Sequence, residues 1–349
     1  MIKEALNLLQ KLIATPSFSR EEKNTAEILN SFFKDKNLAP SRYKNNLWLK
    51  NEHYNQKLPT ILLNSHHDTV KPGNGWSKDP FEPKLQEDRL YGLGSNDAGG
   101  PLIALIFTFL HFYARADLPF NLILAATAEE EISGKDGVAS ILPELGKIDL
   151  GIIGEPTEMQ MAVAEKGLLV IDAETKGETG HAAREEGDNA LYKAMEDIQW
   201  LRSHQFPMNS ELLGPVKVTV TQIEAGYQHN VVPDSCKYVI DVRCNENYNN
   251  HQLFAFLEKH LQAELNARSF RLNSSGISLE HPVVKRGLKL GLQTFGSPTL
   301  SDQALMNFES LKIGPGKSAR SHAPDEYICI SEIENGIATY IQILENLHI

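Results

Sequence analysis

Thr60-Ile61-Leu62-Leu63-Asn64-Ser65-His66-His67-Asp68 is the stretch from which the fold is read. Its apolar run is brief and bounded by turn residues, which suits a buried strand rather than a helix. The run ends in His66, His67 and Asp68, polar groups with no reason to follow a core strand unless they lie at its open end. In open α/β sheets the crevice at the carboxyl ends of the strands is the usual place for chemistry. A histidine followed two residues later by an aspartate also suits a metal. One imidazole nitrogen binds, while a carboxylate takes up the other N–H and fixes the tautomer.

The same arrangement recurs along the chain. Asn121 to Thr127 reads as a second buried strand and ends in Glu129-Glu130-Glu131; Leu150 to Ile153 reads as a third and ends in Gly154-Glu155-Pro156-Thr157. Between them, the glycine-rich turn from Gly92 to Gly100 presents Asp97 and opens the apolar run Pro101 to Tyr113. That run is shorter than the ~20 residues a bilayer span needs, so it reads as a buried core helix. The glycine spacing is not that of a nucleotide loop, and no lysine follows it. Adjacent carboxylates at strand ends repel one another, and a shared cation relieves the repulsion. Towards the C-terminus, Ile313-Gly314-Pro315-Gly316 is a sharp turn, and His322 stands on the marked loop that follows. Ser19 with Glu22, and Ser331 with Glu334, have the spacing of helix capping boxes. Val283 to Phe295 reads as helical.

Composition bounds the rest. The 349 residues exceed one ordinary core. From Leu168 the elements change character and follow the order β-α-β-β-α-β, with Phe270 to Leu272 as the last strand, which is the ferredoxin-like split motif. We therefore expect a discontinuous α/β domain, residues 1–166 and 277–349, and an inserted domain, residues 167–276. A net charge of -11 and a pI near 5.6 argue against nucleic acid or an anionic membrane as a partner. The three cysteines, Cys236, Cys244 and Cys329, lack metal-type CxxC spacing, and their odd number is a poor disulfide framework. The N-terminus carries helical periodicity rather than a signal-peptide layout. A reduced, cytoplasmic setting is the expectation.

The constellation resembles the two-zinc aminoacylase, deacetylase and carboxypeptidase family, which includes acetylornithine deacetylase and succinyl-diaminopimelate desuccinylase. Ser65-His66-His67-Asp68, the turn Gly92 to Gly100, Thr127 to Glu131 and Gly154 to Thr157 match its motifs in order. So do Gly180-His181-Ala182, Asn189-Ala190, Asn230-Val231-Val232-Pro233, Asp241-x-Arg243, Gly314 to Gly316, and Ser321 to Glu326. His67 replaces a usual small residue, so either histidine could reach a metal, and the His-x-Asp spacing favours His66. Lys71 before the proline and Glu129 in place of the common aspartate are further departures.

The resemblance implies a zinc-peptidase-like catalytic domain, with a mixed, mostly parallel sheet flanked by helices, and a ferredoxin-like lid or dimerisation insert. It implies two Zn2+ ions, with Co2+ or Mn2+ able to replace them. His66 and Glu155 would hold one ion and Glu131 and His322 the other, with Asp97 bridging and Asp68 orienting His66. Glu130 would be the general base, His181 would steady the oxyanion, and Asn230 and Arg243 would bind the substrate carboxylate. The implied reaction is deacylation of a small N-acyl amino acid, N-acetylornithine of arginine biosynthesis first, by a homodimer paired through the insert. Same-chemistry alternatives are N-succinyl, N-acetylcitrulline, diaminopimelate or lysine-pathway substrates, and dipeptidase or carboxypeptidase activity. A catalytically silent binding module is the alternative of a different class.

Overall fold

The apolar runs quoted above form neighbouring parallel strands. In a computed structural model describing residues 1–349, Asn121–Thr127, Thr60–His66, Leu150–Ile153 and Ser310–Lys312 lie side by side in that order, all parallel. Asn46–Lys50 and Ser41–Tyr43 extend one edge antiparallel, and Met161–Glu165 pairs antiparallel with Ser310–Lys312 at the other. Register then fixes the site: His66 lies opposite Thr127, and Asn64 opposite Ile153. The residues following each strand therefore emerge at one rim.

A parallel sheet covered on both faces calls for continuous apolar strands. Ile61 and Leu63 face one core with Leu122, Leu124 and Ala126, while Leu62 faces a second with Ile123, Ala125 and Ile153. The first core is built on the helix Gly100–Phe112, buried on nearly all sides, which packs against the helix Ile330–Leu344. Each large side chain taken from water there contributes roughly 1.5–3 kcal/mol, which explains so apolar a helix. Phe109 is fully buried, and Phe109→Ala should destabilise the chain by about 3–5 kcal/mol, read from the midpoint of chemical denaturation. No helix is long and apolar enough to cross a membrane.

The chain divides into two compact units, the first Met1–Val163, Gly276–Phe295 and Ser301–Ile349, the second Ala164–Ser275 and Gly296–Leu300. Placing Gly296–Leu300 in the second unit is not part of the sequence reading. The second unit has a four-stranded antiparallel sheet in the order Lys217–Ala225, Ser235–Arg243, Leu169–Lys176, Glu264–Ala267. With the helices Ala190–Ser203 and Asn250–Glu258 this is the ferredoxin-like arrangement. Alternation in Leu169–Lys176 turns Leu169, Ile171 and Ala173 into its own core, with Tyr238 and Ile240.

Several local expectations are corrected. The last strand of the four-stranded sheet is Glu264–Ala267, not 270–272. The helix expected over 283–295 stops at Lys289, because Gly291 takes φ +86 and the chain turns into the strand Thr294–Ser297. Ser19 caps nothing: its hydroxyl donates to Asp68 (2.7 Å), and the Glu22 carboxylate accepts from Arg20 N–H, Asn45 and Glu129 N–H. Ser331 likewise donates to Asp88, and Glu332 provides the cap by accepting from the Cys329 N–H at 2.9 Å.

Candidate metal centre

At the rim, His66 is buried and its ring is fixed by one hydrogen bond, from Nδ1 to the carbonyl oxygen of Asp68 at 3.0 Å. A carbonyl can only accept, so Nδ1 carries a hydrogen, and in the neutral ring Nε2 is the nitrogen whose lone pair a metal would take. That Nε2 is buried with no hydrogen-bond partner. It points among carboxylates: Asp97 Oδ1 at 3.4 Å, Glu155 Oε1 at 3.7 Å and Glu130 Oε2 at 3.9 Å. The other oxygen of Asp97 lies 3.6 Å from His322 Nε2, which is 3.0 Å from Glu131 Oε2. Asp97 thus turns one oxygen to each imidazole.

Each part of this set is held by its own backbone. The Asp68 carboxylate accepts the N–H groups of Glu130 (3.1 Å) and Glu131 (3.2 Å) as well as the Ser19 hydroxyl, fixing the acidic turn after the Asn121–Thr127 strand. Its carboxylate oxygen is 3.4 Å from His66 Nδ1, farther than its own carbonyl. Asp97 stands on a turn that needs glycine at 94: φ there is +74, and a Cβ would come 2.6 Å from the Thr69 methyl group. His67 is turned away from the rim. Its Nε2–H donates to Asn45 O and its Nδ1 accepts from Thr25, both at 2.9 Å, and burial lowers its pKa, so it is a neutral structural imidazole.

The electrostatics describe a set of groups that compete for too little positive charge. Burial, reinforced by the charges of Glu155, Asp302 and Glu131 against the pull of His66, pushes Glu130 well above the carboxylate range. Burial and the charge of Asp97 push Glu155 up to about 8. Glu131 is raised chiefly by burial, even with His322 beside it. His66 is raised despite its burial, by Glu130, Asp68, Asp97 and Glu155; His322 rises to about 9, mainly through its hydrogen bond with Glu131. Protons are held here where dications could replace them, since metal binding to such ligands releases protons. The orphaned Nε2 and the mixed nitrogen and carboxylate donors fit zinc-type ions. Two overlapping sets, His66 with Asp97 and Glu131, and His66 with Glu130 and Glu155, each offer ligand atoms within 4.8 Å of one another.

The remaining candidates lie in the second unit. His181 is exposed, pairs with Val231, and accepts the Ala183 N–H on Nδ1 at 3.1 Å; Asn230 accepts the Ala182 N–H on its carbonyl at 3.0 Å. Arg243 is held by Asp241 through Nε (2.8 Å) and Nη2 (3.0 Å). Sequence reasoning gave no role to Asp302 or Glu326. Asp302 is buried, accepts from Asn64 (3.1 Å) and Thr127 (2.9 Å), and is raised to about 6, first by burial. Glu326 is buried against the Asp97 turn and raised to about 8 by burial and the charge of Asp97. Ser301 before Asp302 carries only a local signal, a helix cap, and Glu326 was visible only as the last letter of a motif.

The sequence pattern of peptidase family M20/M25/M40 matches residues 62–346. Succinyl-diaminopimelate desuccinylase of Stenotrophomonas maltophilia is 26% identical, over 98% of each chain. Among solved structures, an M20 family metallo-carboxypeptidase from Sulfolobus solfataricus superposes with a TM-score of 0.76 at 20% identity, over 98% of each chain. The Bacillus subtilis YXEP protein, described as a dinuclear metal binding peptidase, gives 0.74 at 15% identity over 98% of this chain and 97% of that one.

Proposed function

The chain belongs to peptidase family M20/M25/M40, and from that premise we propose that it is a two-metal amidohydrolase that removes the acyl group from an N-acyl amino acid. The observation that carries this reading is the split of Asp97, one oxygen 3.4 Å from His66 and the other 3.6 Å from His322. His66 and Glu155 would hold one divalent ion, Glu131 and His322 the other, and Asp97 would serve both. When bound, the ions polarise the scissile carbonyl and make a water acidic enough to attack at neutral pH.

The protein's own groups do the rest. Glu130 takes the proton of the attacking water and delivers it to the amine nitrogen as the C–N bond breaks; its burial favours holding that proton between the two steps. One water is consumed, and a carboxylic acid and a free amine are released. Because Ala183 donates to His181 Nδ1, the neutral ring carries its hydrogen on Nε2, the donor needed where negative charge develops on the carbonyl oxygen. Asp241 occupies Nε and Nη2 of Arg243, leaving Nη1 for the substrate carboxylate, with Asn230 as a second donor. Pairing of two copies through the second unit belongs to the same reading. Its Lys217–Ala225 strand has a neighbour on one side in the sheet, and such an edge is a template for another chain.

The name of the full-length Stenotrophomonas relative supports an N-succinyl amino acid as the first substrate to test. The Gly314-Pro315-Gly316 turn keeps N-acetylornithine as the second. Zinc-loaded protein should release amine from one or more members of a panel of N-succinyl and N-acetyl amino acids. Cleavage of dipeptides alone would move the reading to a peptidase, and a chain that takes up no zinc when it is supplied and is inert on every compound would leave a binding module.

A further inference from the structure

Two segments carry Asp97 and His322, two of the three donors of one half of the set, and they exchange hydrogen bonds in both directions. The turn bearing Asp97 sends out Asn96, whose Nδ2 donates to Lys317 O (3.0 Å) and Ser321 Oγ (3.2 Å), and whose Oδ1 accepts the Lys317 N–H (2.9 Å). The segment bearing His322 returns Glu326, whose Oε1 accepts the N–H groups of Asn96 (2.8 Å) and Asp97 (3.0 Å). Ser321, next to His322, belongs to the link as the acceptor of that Asn96 amide. Asn96 is wholly buried and Glu326 is 2% exposed. The two segments approach so closely that a Cβ on Gly316, at φ +93, would fall 2.5 Å from Asn96 Oδ1.

Buried polar groups are costly unless they are hydrogen-bonded, and here that cost is met entirely by bonds between these two segments. His66 is anchored differently, through the Asp68 carbonyl. We propose that Asn96 and Glu326 are positioning residues, a reciprocal clasp that sets Asp97 against His322 and so builds the Asp97–Glu131–His322 half of the centre in particular. This inference rests on the two-ion reading above. Neither residue touches substrate in it; each acts through the side chain it holds in place.

The clasp predicts unequal loss. Asn96→Ala and Glu326→Ala should each weaken the ion at Glu131 and His322 by 10–100-fold, the range for partners that orient ligands. The ion at His66 and Glu155, which shares Asp97 but keeps the separate anchor of His66, should weaken by clearly less. Glu326→Gln, which keeps the accepting oxygen, should recover most of the loss. Equilibrium dialysis against buffered zinc, with metal counted per chain and circular dichroism to verify folding, reads this without any assay of turnover. Folded alanine variants that bind both ions like wild type, or that lose both in parallel, would overturn the clasp. If the alanine variants do not fold, Ser321→Ala decides: selective weakening of one ion is expected, and unchanged binding of both refutes it. A wild-type chain that takes up no zinc would instead remove the two-ion reading, and the clasp with it.

Discussion

Glu130→Gln should lower turnover by on the order of 10²–10⁴-fold, the usual contribution of a general base, while metal content stays at two ions per chain. The substitution keeps the shape of a side chain that is 12% exposed and lies 3.9 Å from His66 Nε2, but an amide cannot take the proton of the attacking water. Its backbone would be unaffected, because the Glu130 N–H is held by Asp68 rather than by its own side chain. The check is amine release together with metal counted by mass spectrometry on the same preparation. Loss of an ion in this variant would make Glu130 a ligand, an alternative with a geometric basis in its grouping with His66 and Glu155. Full turnover would remove it from the chemistry.

Asp97→Ala should have the larger effect on metal, bringing content below one ion per chain and turnover below detection, since one carboxylate facing both imidazoles serves both ions. Its effect on stability should grow with metal. In the metal-free protein, despite its burial, the imidazoles of His66 and His322 hold the Asp97 carboxyl below its usual range, so removing it forfeits that stabilisation at neutral pH and the variant should melt lower than wild type. With zinc present, wild type gains about 2.7 kcal/mol for an ion at 100 times its Kd, and the variant forgoes that gain. Melting curves with chelator and with zinc test both halves. A variant whose deficit is the same with chelator as with zinc would show that Asp97 holds the turn rather than the ions.

What was legible in the sequence was whatever long-range order writes into local pattern. The Thr60–His66, Asn121–Thr127 and Leu150–Ile153 strands announce themselves because both faces of a parallel sheet are covered, and the polar residues that end them could only be at a rim. Ser310–Lys312 carries no such run, and its strand state comes from its neighbours. The capping boxes failed for a related reason: Ser19 and Ser331 have cap spacing, but Asp68 and Asp88, far along the chain, offer them better acceptors. The His-x-Asp spacing favours His66, but what occupies His67 was not legible, because its partners Thr25 and Asn45 are distant along the chain. The roles of Asn96 and Glu326 were illegible because each is defined by a segment more than 200 residues away.

The most direct test is anomalous scattering at the zinc edge from crystals grown with zinc. Two peaks about 3.5–4 Å apart, one beside His66 and Glu155, the other beside Glu131 and His322, with Asp97 reaching both, are the expected result. A single peak, or none among these five side chains in a chain that nonetheless hydrolyses its substrate, would contradict the two-ion centre.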